Sequence, residues 1–138
     1  MCFGSVVSNE TGKKMTEASA KMETGRELRG PTTTARLTEL PGIHDDRVAR
    51  RAGFRAAFIP FSYHFAALND MLLDYFGHRW LTDGEIEISV VSPLFDGDSY
   101  TPRGKVKGEE PEGSGRLAVD IWGQNQDGKT LAVGTARC

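Results

Sequence analysis

The feature that most constrains the fold is the segment from Ser62 to Gly77, whose apolar residues lie nearly all round a helix. Ser62 is a suitable N-cap and Gly77 a suitable stop, so the sequence predicts one helix between them. A helix at a protein surface shows a single apolar stripe. We therefore expect this helix to be covered on more than one side, with Asp70 and Asp74 marking its solvated edge.

The chain after Gly77 has the alternating pattern of β-strands. Apolar residues alternate with polar ones at Ile86, Ile88 and Val90, and large apolar residues at Leu117, Val119 and Ile121 alternate with smaller or charged ones. Pro102 predicts an edge strand or a bulge. The Asp127-Gly128 pair predicts a hairpin turn before the last strand. These patterns predict an α+β fold in which an antiparallel sheet wraps around one central apolar helix.

The first half of the chain contributes less. Residues 1–27 contain too little apolar material to anchor a packed element, so they are predicted to form a flexible tail, with one domain over residues 28–138. A first strand is predicted within Thr32–Leu40, ended by Pro41-Gly42. A short helix is then predicted to begin at Asp45 or Asp46 and to run through Ala52.

Composition excludes several classes of function. The net charge of -2 gives no general attraction to phosphate backbones, so nucleic acid is not expected as a partner. No apolar run approaches the roughly 20 residues of a membrane helix, and the N-terminus lacks a signal pattern, so we expect a cytoplasmic protein without membrane contact. Cys2 and Cys138 do not form a metal motif and are interpreted as incidental. A single sheet leaves open edges, which favours a homodimer.

Several local sequences together resemble one family. They are Asp45–Phe54, Phe58-Ile59-Pro60, Ser92–Asp98, Asn125–Lys129 and Gly134-Thr135-Ala136. They resemble the MaoC-like hotdog family, which contains enoyl-thioester hydratases and dehydratases, and the likeness covers about residues 28–138. The resemblance implies the hotdog fold and the addition or removal of water at an α,β-unsaturated acyl thioester of coenzyme A or an acyl carrier protein. It implies neither a cofactor nor a metal.

The resemblance also implies catalytic residues. Active members carry an acid and a histidine five residues apart, and Glu39 and His44 meet that spacing. The pattern departs from the family at three places: Glu39 replaces an Asp, Pro41-Gly42 replaces Asn-Pro, and Phe61 occupies the position of the Gly that opens the central helix. The simpler interpretation of Glu39 and His44 is that the first lies at a solvated strand end and the second in the turn that follows, without a catalytic role.

Substrate-binding roles are expected near the start of the central helix and on a basic face. Backbone N–H groups near Phe61, Ser62 and Tyr63 are candidates to hold the thioester oxygen. His64 could reach a substrate carbonyl or be a satisfied core histidine. Asn69 could bind substrate or meet a partner's backbone. The set Arg47, Arg51 and Arg55 recurs every four residues and could bind a coenzyme A phosphate or an acidic carrier protein, although a solvated face is the simpler interpretation.

Two other functions stay open at this point. A hotdog thioesterase would use Asn69 or Asp70 to direct water at the carbonyl carbon. A subunit without catalytic activity, which binds an acyl group or pairs with an active subunit, is favoured by the altered acid, by the missing Asn-Pro and by Phe61.

Overall fold

The computed structural model describes residues 17–37 and 40–138. Its helices are α1 (Glu17–Glu23), α2 (Asp46–Arg51), α3 (Phe61–Phe76) and α4 (Trp80–Asp83), with 3-10 turns at Gly42–His44 and Gly77–Arg79. Its strands are β1 (Glu27–Arg29), β2 (Thr33–Thr34), β3 (Glu85–Val90), β4 (Ser99–Glu109), β5 (Leu117–Gln124) and β6 (Thr130–Arg137).

The strands form one antiparallel sheet in the order β1-β4-β5-β6-β3, and β2 also pairs with β4. The main core lies where α3 packs against this sheet, and its fully buried members include Leu68, Leu72, Phe76, Val106, Leu117, Val119 and Ile121. The predicted α+β architecture, one long helix against an antiparallel sheet, is confirmed.

The central helix differs from its prediction at its N-terminal end. It begins at Phe61 with Pro60 as N-cap, so Ser62 is not the cap and lies exposed in the first turn. Its buried residues follow one stripe, namely His64, Leu68, Met71, Leu72 and Phe76. Partly buried residues on either side of this stripe, among them Ala67 and Leu73, also pack against the core. Asp70 and Asp74 are exposed, so the predicted solvated edge of the helix is confirmed. Gly77, whose φ of 73° suits a residue without a side chain, ends the helix as predicted.

The chain does not enter a strand directly after Gly77, contrary to the prediction. A 3-10 turn and α4 intervene, because Trp80 folds back into the core and stacks on Phe76 at 5.7 Å between ring centroids. β3 then forms one edge of the sheet, with Ile86 and Ile88 packed against the core.

Some of the strand predictions are confirmed by the structure and others are wrong. Leu117, Val119 and Ile121 are buried as expected, and a turn closed by a hydrogen bond from Gly128 N–H to the Asn125 carbonyl joins β5 to β6. Pro102 lies inside β4, a strand paired on both sides, so the edge assignment is wrong. It is accommodated opposite Gly30, between the separate pairings of β1 and β2 with β4. The predicted first strand is reduced to the two residues of β2.

The structure places α1 inside the segment that the sequence assigns to a tail. Ala20 of α1 is buried in the core, and the Tyr75 hydroxyl of α3 donates a hydrogen bond to the Glu23 carboxylate. The domain boundary at residue 28 stays a prediction. Within the described part of the chain, no helix combines the length and apolar character needed to cross a membrane.

Candidate functional site

His44 is presented by a tight turn between Pro41 and α2. Asp45 begins α2 as a side-chain cap, accepting hydrogen bonds from the Arg47 and Val48 N–H groups at 2.8 and 3.2 Å, so the predicted cap is confirmed. The turn brings the His44 ring to the strand-like segment before α3, where Nδ1 lies 2.6 Å from the Phe58 carbonyl oxygen.

That contact fixes the tautomer of His44. A carbonyl oxygen can only accept, so Nδ1 carries the proton and donates it. In the neutral ring the other nitrogen, Nε2, then has a free lone pair. The backbone therefore orients His44 as an acceptor of protons, an arrangement that general-base histidines use.

His44 lines the larger of two clefts in this region, with a volume of about 640 Å³. The lining residues are Leu37, Leu40, Pro41, His44, Asp45, Asp46, Arg47, Ala57 and Asp96. Glu39, the predicted partner of His44, lies outside the described residues. The described residues on either side of it, Leu37 and Leu40, both line this cleft.

The three described carboxylates of the larger cleft already have structural partners. Asp45 caps α2, Asp96 accepts the Leu37 N–H at 2.9 Å, and Asp46 accepts hydrogen bonds from Arg50 and the Ala57 N–H. The hydrogen bond from Arg50 lowers the pKa of Asp46. These acids hold the walls of the cleft through hydrogen bonds to the backbone.

The predicted basic face is divided. Arg47 lines the larger cleft, is largely exposed and has only a 3.8 Å contact with Asp45, and Arg51 is also exposed. Arg55 leaves this face and binds both oxygens of Asp98 at 2.7 and 2.6 Å. Two exposed cations of α2, Arg47 and Arg51, therefore remain of the predicted three, and Arg47 lines the larger cleft.

The start of α3 borders the smaller cleft, of about 260 Å³. Its lining residues are Phe58, Ile59, Phe61, His64, Val90, Val91, Ser92, Pro93 and Leu94. Phe61 is 51% exposed, and no side chain caps the first N–H groups of α3. The segment from Ala57 to Phe61 contributes to both clefts, since Ala57 lines the larger one and Phe58, Ile59 and Phe61 line the smaller one.

His64 and Tyr63 belong to a buried polar group around Tyr100. His64 is only 1% exposed, and its Nδ1 lies 3.1 Å from the Tyr100 hydroxyl. Burial lowers the pKa of His64 to about 4, so the ring is neutral at neutral pH. The Tyr63 ring packs edge-on against Tyr100, and its hydroxyl hydrogen-bonds to Thr33 at 2.6 Å.

Asn69 lies away from both clefts. Its side-chain oxygen accepts a hydrogen bond from the Trp80 indole N–H at 2.8 Å, which satisfies the half-buried amide within the chain. The structure thus brings His44 and Arg47 together in one cleft and Phe61 and His64 in the other, and it leaves Asn69 with neither.

Sequence reasoning missed Asp96 and Tyr100 as residues that shape these clefts. Asp96 and Asp98, the partner of Arg55, both belong to the Pro93–Asp98 turn. The sequence of this turn indicates the family resemblance but not these contacts. Tyr100 gives no sequence signal, because its partner His64 is 36 residues away. Among the described residues, no group of three or more His, Cys, Asp or Glu side chains could hold a metal ion.

No family model matches the sequence, and no curated protein matches it. Solved structures match in fold. The (R)-hydratase from A. caviae involved in PHA biosynthesis has a TM-score of 0.63 at 16% identity, over 83% of this chain and 94% of that chain. The MaoC-like dehydratase from Rhodospirillum rubrum has a TM-score of 0.63 at 19% identity, over 83% and 89%.

The C-terminally truncated HadBC complex from Mycobacterium tuberculosis, a (3R)-hydroxyacyl-ACP dehydratase, has a TM-score of 0.60 at 13% identity, over 83% of this chain and 96% of that chain. At such identities the similarity is one of fold. It agrees with the element order and the strand pairing described above. The chain has the hotdog fold, in the form found in these MaoC-like dehydratases and hydratases.

Proposed function

We propose that this protein is a hydratase or dehydratase that adds water to, or removes it from, an α,β-unsaturated acyl thioester. The observation that carries the proposal is the His44 ring, whose Nδ1–H is held by the Phe58 carbonyl so that Nε2 can accept a proton in the larger cleft. The fold shared with hydratases and dehydratases supports it.

In the proposed hydration, His44 Nε2 removes a proton from water as the oxygen bonds to the β-carbon. The π electrons of the double bond move toward the thioester, and a proton is delivered to the α-carbon. Glu39 is the proposed acid partner, on the basis of its spacing from His44. Backbone N–H groups at Phe61 and Ser62, where no side chain caps α3, are the proposed donors to the oxygen on which negative charge develops.

The carrier is proposed to bind beside the larger cleft. Arg47 and Arg51 are exposed cations at this edge, and a coenzyme A phosphate or an acidic surface of an acyl carrier protein would neutralise them. Neither arginine is held in a strong ion pair within the described chain, so both are available for such a contact.

The test is hydration of a short and a medium enoyl-CoA, followed by the loss of conjugated enoyl absorbance. We expect wild type to be active and His44→Ala to lose at least about 100-fold in rate, because removal of a general base costs 10²–10⁴-fold. His78→Ala is the matched control, since His78 lies in the 3-10 turn beyond the other end of α3, and it should keep full activity.

Other outcomes would replace the proposal. Release of free thiol without loss of the enoyl group would indicate a thioesterase, although Asn69, its proposed residue, is engaged by Trp80. Binding without turnover of either kind would indicate a subunit that is not catalytic. Hydration that survives His44→Ala would remove His44 from the site.

We also propose a homodimer. β3 pairs with β6 on one side only, so its other edge offers unpaired backbone groups within the described chain. Phe61 and Phe65 in the first two turns of α3 are 51% and 40% exposed, and Val90 and Val91 at the end of β3 are exposed as well. Exposed apolar side chains beside an open strand edge are typical of a surface that a second copy covers.

A further inference from the structure

The smaller cleft combines apolar walls with a single buried imidazole. Seven of its nine lining residues are apolar, and its two polar members are His64 and Ser92. None of the nine carries a charge at neutral pH, because burial holds the pKa of His64 at about 4. In one copy the cleft has a volume of about 260 Å³, which suits a short group rather than a whole cofactor. Its lining residues Phe61, Val90 and Val91 also belong to the surface proposed for the homodimer, so the ligand would lie at the dimer interface.

The His64 ring has one nitrogen left for a ligand. Nδ1 is engaged by the Tyr100 hydroxyl, whereas Nε2 has no hydrogen-bond partner in the described chain. Nε2 is also not fully buried. Among the described residues that are not exposed, Arg103 Nε is the one side-chain nitrogen or oxygen that is fully buried without a hydrogen-bond partner, so His64 Nε2 keeps some accessible surface. The ring lines the smaller cleft, so Nε2 is reached from there.

The chemistry of a neutral, buried imidazole limits what Nε2 can bind. If the Tyr100 hydroxyl donates to Nδ1, Nε2 carries the proton and donates; if Nδ1 donates, Nε2 accepts. A hydroxyl group can both donate and accept, so it matches either arrangement. A carboxylate or phosphate would enter apolar surroundings with no cation to compensate its charge, which is costly.

We propose that the smaller cleft binds a short apolar group bearing a neutral hydroxyl, which hydrogen-bonds to His64 Nε2. If the proposed function holds, on which this identification of the ligand rests, the group is part of the acyl chain away from the reacting carbons. The two clefts share no lining residue, so the hydroxyl bound at His64 is a different oxygen from the one that His44 handles.

The experiment measures binding of three unreactive probes, the N-ethyl amides of butanoic, 4-hydroxybutanoic and succinic acid, to the full chain by NMR titration. We expect the hydroxyl probe to bind about five-fold more tightly than the butanoic probe, as one net hydrogen bond allows. The succinic probe, which carries a carboxylate, should bind more weakly than both. The ¹⁵N shift of His64 Nε2 should change with the hydroxyl probe alone.

Variants separate this site from the catalytic one. His64→Phe should remove the preference for the hydroxyl probe, whereas Ser92→Ala should keep it. His44→Ala should bind the probes as wild type does, so loss of hydration and loss of probe binding are independent results. Equal binding of the hydroxyl and butanoic probes, or shifts confined to the larger cleft around Ala57 and Asp96, would overturn the proposal. The His64 shift in wild type decides the question even if His64→Phe does not fold.

Discussion

His44 and His64 illustrate how the same side chain takes two roles through its surroundings. His44 is half-buried at the rim of a cleft and is oriented by a backbone carbonyl. His64 is 1% exposed and shares a hydrogen bond with Tyr100, which is also buried. Orientation makes the first suitable for proton transfer, whereas burial makes the second reluctant to gain a proton.

The low pKa of His64 predicts a pH dependence of stability. Burial lowers this pKa from 6.5 to about 4 in the folded chain, so between those pH values the unfolded chain binds a proton at His64 and the folded chain does not. The free energy of unfolding should therefore fall as pH drops from about 6.5 toward 4, by up to about 3 kcal/mol from this residue.

Urea denaturation of wild type and His64→Gln at several pH values measures this effect. Gln cannot titrate, so the variant should lack the His64 part of the decline and its stability should approach that of wild type as pH falls. His78→Gln controls for removal of a histidine elsewhere. Parallel curves for wild type and His64→Gln would contradict the interpretation.

Single residues show where sequence reasoning stops. The spacing of Glu39 and His44 could be noticed because it is local. The hydrogen bond that orients His44 could not, since Phe58 is 14 residues away and meets the ring only after the intervening helix has formed. For the same reason the sequence does not indicate that Asn69 pairs with Trp80. The four-residue spacing likewise assigns Arg55 to a basic face, whereas its side chain binds Asp98.

At the scale of elements, the Pro93–Asp98 turn fixes the chain between β3 and β4. Asp98 is 4% exposed and accepts hydrogen bonds from Arg55, the Phe95 N–H and Gln126. Burial alone would raise the pKa of Asp98, but these hydrogen bonds outweigh it and hold the pKa below its ordinary value. The guanidinium of Arg55 also lies 4.2 Å from the centre of the Phe95 ring.

Removal of this charge should loosen the turn. We expect Asp98→Asn to lower the free energy of unfolding at pH 7 by about 2 kcal/mol, because hydrogen bonds to a charged group contribute 1.5–3 kcal/mol and Arg55 is partly solvated. The loss should shrink as pH falls below the ordinary pKa of Asp, because the unfolded chain then binds a proton that folded wild type binds only at the lower pKa of Asp98. Asp120→Asn, at a half-exposed residue of β5, should change stability by less than about 0.5 kcal/mol. Equal effects of the two substitutions in urea denaturation would refute the role of Asp98.

Elements were predictable where their own residues decide them. The β5–β6 hairpin and the cap of α2 depend on a few adjacent residues and were predicted correctly. The burial of α3 and the fold-back at Trp80 depend on what packs against them, which the sequence does not state. Pro102 was misassigned because its tolerance inside β4 depends on Gly30, which is distant in sequence.

At the scale of the whole molecule, one copy leaves two large apolar side chains of α3 uncovered. Phe61 and Phe65 lie in line with the buried stripe of the helix but near its N-terminal end, and they are 51% and 40% exposed. A second copy that covers this end of α3 would bury them, which is the proposed homodimer.

A charge placed at the exposed N-terminal end of α3 tests the dimer directly. Phe65→Glu should dissociate it, because a carboxylate buried at an apolar interface lacks a partner and desolvation is costly. Sedimentation velocity should show a dimer for wild type and a monomer for the variant, with at least about a ten-fold increase in the dissociation constant, equivalent to 1.4 kcal/mol. Leu81→Glu makes the same kind of change at an exposed apolar residue of α4 and should leave the dimer intact. A monomeric wild type, or a dimer equally sensitive to both substitutions, would show that this end of α3 is not the interface.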